Sequence, residues 1–257
     1  MPYADNKGVK IYYEIEGNGP PLLMMHGLMG THEWYGVFGY VEALKKDYQL
    51  ILVDARGHGK SDQLHDPQDY LIEKRVADLV SVLDDMGIEK AHYFGYSMGG
   101  QEGWSIGKYA PNRFSSVIIG GMSPYQRDPA IPDPDIDDLV PMLKKGNEAL
   151  VATFEEWWQQ KVDPVIERTL MEADNESFIA RLLRSEYVDR TETMATSTLP
   201  CLVYCGELDP EYFESKKGAD ELPNASFFSL PDLDHDQVYK RSDLVLPHIR
   251  KFLKEQT

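Results

Sequence analysis

Three residues far apart in the chain are of the types that make an activated nucleophile. The first is the serine of Gly95-Tyr96-Ser97-Met98-Gly99. The apolar run Ala91–Tyr96 before it reads as a strand, and the chain from Met98 to about Tyr109 reads as a helix. Ser97 therefore falls on a tight strand-to-helix turn. Such a turn pushes the side chain clear of the backbone, and glycines two residues to either side keep neighbouring side chains out. The following helix adds free N–H groups and the positive end of its dipole. Gly100, Gly103 and Gly107 suggest that this helix packs closely on a sheet.

A serine hydroxyl is a poor nucleophile at neutral pH and needs a base. Of the seven histidines, His235 follows the last expected strand and precedes the last helix, and it is assigned as that base. His26 belongs with the loop after an early strand, His58 lies in a turn, and His92 and His248 are read as structural. The base needs a carboxylate to fix its tautomer. Asp209, in Gly206-Glu207-Leu208-Asp209-Pro210 at the end of another strand, ranks first; Glu207, Asp234 and Asp236 compete. Ligand-binding groups of open α/β sheets collect at such carboxyl ends of strands. Acyl transfer also needs donors for the oxyanion, each worth about 10²- to 10³-fold in rate. The amides of Met98 and of Leu28, which follows His26-Gly27, are the candidates.

The elements that must position these groups alternate. Apolar runs at Pro21–Met25, Gln49–Val53, Ala91–Tyr96, Ser115–Ile119, Cys201–Cys205 and Ser226–Leu230 are strand-like, and Val9–Ile15 alternates. A helix is expected over 71–86, with Val76, Leu79, Val80 and Leu83 on one face and Gly87 as its stop. Continuous apolar strands separated by helices imply a mostly parallel central sheet flanked by helices. A mainly helical insertion over 124–198, with a Pro/Asp-rich loop near its start, interrupts this α/β core of 1–123 and 199–257.

The chain has 257 residues, enough to bury a large core without metal or disulfides. Its two cysteines, Cys201 and Cys205, lie in one expected strand and are read as buried thiols. The net charge of −17 disfavours nucleic acid and anionic membranes as partners. No apolar run is long enough to span a bilayer and no secretory signal is visible, so the expected location is the cytoplasm. The insertion carries 16 acidic and 8 basic residues, which suggests a neutral or cationic substrate rather than a polyanion.

Taken together, these motifs resemble the α/β-hydrolase-fold serine hydrolases. The resemblance rests on His26-Gly27, Asp54-Ala55-Arg56-Gly57-His58-Gly59-Lys60-Ser61-Asp62, Gly95-Tyr96-Ser97-Met98-Gly99-Gly100, Gly206-Glu207-Leu208-Asp209 and His235, in the family's order Ser97…Asp209…His235. It implies a central sheet of about eight strands and a cofactor-free hydrolase of small carboxylic esters or lactones. It also implies a cap formed by the insertion, with Met122, Tyr125, Phe154, Trp157 and Trp158 as candidate pocket residues. Adjacent helical residues point about 100° apart, so one of the two tryptophans is expected to face the pocket. Relatives that open epoxides carry an aspartate nucleophile, and here Ser97 stands in that place. Perhydrolase or C–C bond hydrolase chemistry, or a small-molecule receptor on a hydrolase scaffold, are the alternatives. One departure stands out: relatives usually carry glycine before the histidine, and this chain carries Asp234.

Overall fold

The protein is represented by a computed structural model that describes residues 2–125, 135–183 and 197–256. Eight strands form one sheet: β1 Tyr3–Asn6, β2 Val9–Glu16, β3 Pro21–Met25, β4 Gln49–Val53, β5 Ala91–Tyr96, β6 Phe114–Gly120, β7 Cys201–Gly206 and β8 Ala225–Leu230. Their order is β1-β2-β4-β3-β5-β6-β7-β8. The first two pairings are antiparallel and all those from β4 through β8 are parallel. β1 is absent from the strands read in the sequence, being only four residues long.

The helices that matter for the site are α1 Ile72–Asp85, α2 Met98–Tyr109, α3 Asn147–Trp158, α4 Pro164–Met171, α5 Asn175–Leu183, α6 Tyr212–Glu221, α7 His235–Lys240 and α8 Ser242–Lys254. α1 ends where Gly87, with φ +66°, lets its amide reach Asp84 and the next amide reach Leu83. Its buried face holds Val76, Leu79, Val82 and Leu83, so Val82 takes the full burial that the spacing gave to Val80.

The central strands β3 to β7 are mostly apolar on both faces because both are covered, whereas the edge strands β1, β2 and β8 keep exposed positions. Leu22, Met24, Leu52, Phe94 and Tyr204 belong to one cluster; Leu23, Met25, Val53, Tyr93 and Val203 belong to the other. The first cluster runs on without a break into the insertion, through Leu150, Phe154, Ile166, Leu170 and Phe178. Arg181 of α5 also donates to the Gln101 side chain of α2. Among the described residues no helix is long and apolar enough to cross a membrane. Cys201 and Cys205 are buried free thiols; burial pushes the Cys201 thiol up to about 12 and raises that of Cys205 further still.

Candidate active site

The turn between β5 and α2 is as tight as its glycines suggest. A Cβ on Gly95 would lie 2.2 Å from the Gly99 carbonyl oxygen, and one on Gly99 would lie 2.3 Å from that of Met25. No side chain fits at either position. Ser97 itself takes φ +52° and ψ −113°, a backbone strain that non-glycine residues rarely accept. The Ser97 amide donates to the Gly120 carbonyl at 2.8 Å and the Gly99 amide to that of His26, which pins the turn between β6 and the loop after β3.

The structure brings Ser97, His235 and Asp209 into one hydrogen-bonded chain. Ser97 Oγ lies 2.9 Å from His235 Nε2, and His235 Nδ1 lies 2.7 Å from Asp209 Oδ2. Asp209 is buried in the loop after β7, and its other oxygen accepts the Glu211 amide at 2.9 Å. Burial alone would raise the Asp209 carboxyl, but the hydrogen bond from His235 and its charge hold it below the usual carboxylate value. Burial likewise opposes charge on His235. The Asp209 hydrogen bond and the negative charges of Asp209, Asp236 and Glu211 outweigh it and push the imidazole up to about 9.

Of the competing carboxylates, Glu207 accepts from the Ser229 hydroxyl. Asp236 accepts from the Trp158 indole N–H at 3.1 Å. Asp234, the residue that departs from the family pattern, caps α7: its side chain accepts the Gln237 amide, and the Gln237 side chain accepts the Asp234 amide. That reciprocal pair places His235 on the first turn of a fixed helix. The Asp-x-x-Gln spacing is the sequence signal for this cap, and the motifs of the resemblance do not include it.

The loop after β3 runs beside Ser97; a Cβ on Gly27 would lie 3.4 Å from that of Ser97. Among the described residues neither the Leu28 nor the Met98 amide has a protein acceptor. Two buried histidines hold this loop. His26 Nε2 accepts the Ala55 amide at 3.1 Å while its Nδ1 faces the Gly27 carbonyl at 2.7 Å. His58 Nε2 accepts the Met29 amide at 3.3 Å while its Nδ1 faces the Arg56 carbonyl. Each arrangement needs a neutral ring with its proton on Nδ1, and burial lowers both pKa values accordingly. Asp54 organises the same corner by accepting the His32 amide and ring nitrogen and the Lys60 amide.

The five expected pocket residues part company. Phe154 is buried edge-on against Trp34, and Trp158 packs against Trp34, Phe38 and Phe154. Lys240 of α7 sits 3.9 Å over the Trp158 ring. Trp157 is about half exposed. Met122 packs into the second cluster, beside α2, and its carbonyl accepts from the Trp104 indole N–H. Tyr125 turns its hydroxyl to Glu221 of α6, and Lys217 of α6 lies over its ring. Trp158 is thus the expected pocket residue that touches the His235-bearing helix.

Comparison with known proteins agrees with this architecture. A family profile described as alpha/beta hydrolase fold matches residues 20–170. The chain is 26% identical over 224 residues to 3-oxoadipate enol-lactonase 1 of Acinetobacter baylyi, covering 80% of this chain and 79% of that one. It is 30% identical over 129 residues to epoxide hydrolase 3 of Siraitia grosvenorii, covering 50% of this chain and 40% of that one. The chain spans about half the length, or less, of several curated relatives that it matches. The crystal structure of the enol-lactonase from Burkholderia xenovorans superposes with a TM-score of 0.81 at 23% identity, over 98% of this chain and all of that one. With the profile covering more than half of its length and the sheet built in the same way, the chain belongs to the alpha/beta hydrolase fold family.

Proposed function

We propose that the protein is a cofactor-free serine hydrolase of small carboxylic esters or lactones. The observation that carries this reading is the continuous hydrogen-bonded path from Ser97 Oγ through His235 to Asp209. With Asp209 bound to Nδ1–H, the neutral His235 presents its Nε2 lone pair to the Ser97 hydroxyl. It takes that proton as Oγ attacks the carbonyl carbon. The carbonyl oxygen becomes an alkoxide, for which the Leu28 and Met98 amides are the available donors. Collapse of the tetrahedral species breaks the bond to the leaving alkoxide, which His235 protonates. In a lactone the leaving oxygen stays attached through the ring, so one substrate yields a tethered acyl-enzyme. Water, deprotonated by His235, then releases the acid and restores Ser97.

The enol-lactonase relatives support the class. The epoxide hydrolases among the matches favour a different chemistry, which the serine at the elbow argues against. A serine-directed phosphonylating reagent tests the reading: one adduct should form, on Ser97, with loss of turnover. Ser97→Ala should lose esterase and lactonase activity together. Full turnover in that variant would overturn the proposal.

A further inference from the structure

Histidine at the start of a six-residue helix is an exposed place to keep a general base, and Ser97 and Asp209 grip only its ring. Its backbone is held by the Asp234–Gln237 cap and by one further group. The Tyr96 hydroxyl, fully buried, donates to the His235 carbonyl at 2.5 Å. The Tyr96 ring lies 5.3 Å from the imidazole and stacks face to face on Tyr239, one turn further along α7, at 4.5 Å and 4°. Tyr96 and Ser97 are neighbours in the chain. One dipeptide therefore holds both the Nε2 end of His235 and its main chain.

The space for this contact is made on the opposite side by glycine. A Cβ on Gly120 would come within 2.6 Å of the Tyr96 ring. One on Gly121, where φ is +58°, would come within 2.9 Å of the Tyr96 hydroxyl and 3.1 Å of His235 Cε1. The end of β6 is bare so that a tyrosine can stand between it and α7.

We infer that Tyr96 is a positioning residue for the proposed base: its hydroxyl fixes the α7 backbone so that the His235 ring meets Ser97 and Asp209 at once. This inference rests on the proposed role of His235, and it concerns how that role is held rather than whether it exists. The hydroxyl touches no reacting atom. It removes a freedom of the first turn of α7, which a carbonyl with a second lone pair allows without breaking the helix hydrogen bond to the same oxygen.

The test is Tyr96→Phe beside Tyr239→Phe, assayed on a nitrophenyl ester or a γ-lactone across pH. Each variant removes one buried hydroxyl from the same ring stack, and only the first removes a contact to His235. Tyr96→Phe should lower kcat by roughly tenfold, the loss of one hydrogen bond that holds a reacting group in register. Its KM should be little changed. The acid limb of its kcat/KM profile should move to lower pH, because a freer imidazole meets Asp209 less well. Tyr239→Phe should leave the kcat and the limb in place. Equal losses in both variants, an unchanged kcat in Tyr96→Phe, or a Tyr96→Phe chain that does not fold would each overturn the inference. If His235 itself is not the base, His235→Ala will retain turnover, which separates failure of the parent reading from failure of this one.

Discussion

Replacing Asp209 by asparagine changes one atom and should remove almost all activity. The two carboxylate oxygens have separate partners: Oδ1 accepts the Glu211 amide at 2.9 Å, and Oδ2 faces His235 Nδ1 at 2.7 Å. In Asp209→Asn the amide oxygen must stay on the Glu211 N–H, since an NH₂ there would set two donors against each other. The NH₂ then occupies the place of Oδ2 and donates to Nδ1. The imidazole is forced to carry its proton on Nε2, facing Ser97 Oγ, where it can no longer accept one. A wrong tautomer in an otherwise intact site costs about 10⁴ in kcat, or roughly 5.4 kcal/mol of barrier. The pH profile supplies a second reading with a fixed sign. A base works when neutral, so activity rises as pH rises through its pKa. In the native protein Asp209 is the main force raising His235 to about 9 against burial, so the acid limb should lie well above the ordinary histidine value. In the asparagine variant the residual activity should titrate at markedly lower pH. The assay is kcat/KM on a nitrophenyl ester from about pH 5 to about pH 10, a range that brackets both the ordinary and the raised histidine values. A variant within about tenfold of the native rate, or an acid limb that does not move, would refute the reasoning and return Glu207, Asp234 or Asp236 to consideration.

The remaining predictions concern the frame and the substrate. Asp78→Ala should cost about 3–5 kcal/mol in urea unfolding, because it strands the buried Arg56 guanidinium that now makes two 2.6 Å bonds to it. Trp158→Ala should raise KM for aromatic or medium-chain esters by roughly 10- to 100-fold, the worth of one large apolar contact, while the half-exposed Trp157→Ala should leave KM nearly unchanged. Neutral esters should be cleaved faster than dianionic esters of the same size, with the gap narrowing as salt rises; equal rates at low salt would show that the acidic insertion does not act on substrate choice.

How much of this could be read from sequence differs between the sheet and the insertion. The central parallel strands were legible because they are buried on both faces and read as unbroken apolar runs, as in Leu22–Met25 and Leu202–Cys205, while β8 at the sheet edge is only partly buried. α1 was legible from its period and its glycine stop. The segments 126–134 and 184–196, where a Pro/Asp-rich loop and further helix were expected, lie outside the described residues. The direction taken by Tyr125 was not legible. Its hydroxyl pairs with Glu221 across 96 residues, and no local pattern encodes that.

His235 shows the same division within a single residue. Its helix is encoded on the spot, by the Asp234–Gln237 capping box. Everything else that holds the residue comes from far away, Asp209 from 26 positions, Ser97 from 138 and Tyr96 from 139. These contacts converge because β5, β6 and β7 are adjacent in the sheet and end at the same edge, with α7 packed on β7. A motif search finds Ser97 since the strained turn imposes its glycines on neighbouring positions. It passes over Tyr96 because a tyrosine in a strand is ordinary, and only the sheet order turns its hydroxyl towards the helix that follows β8.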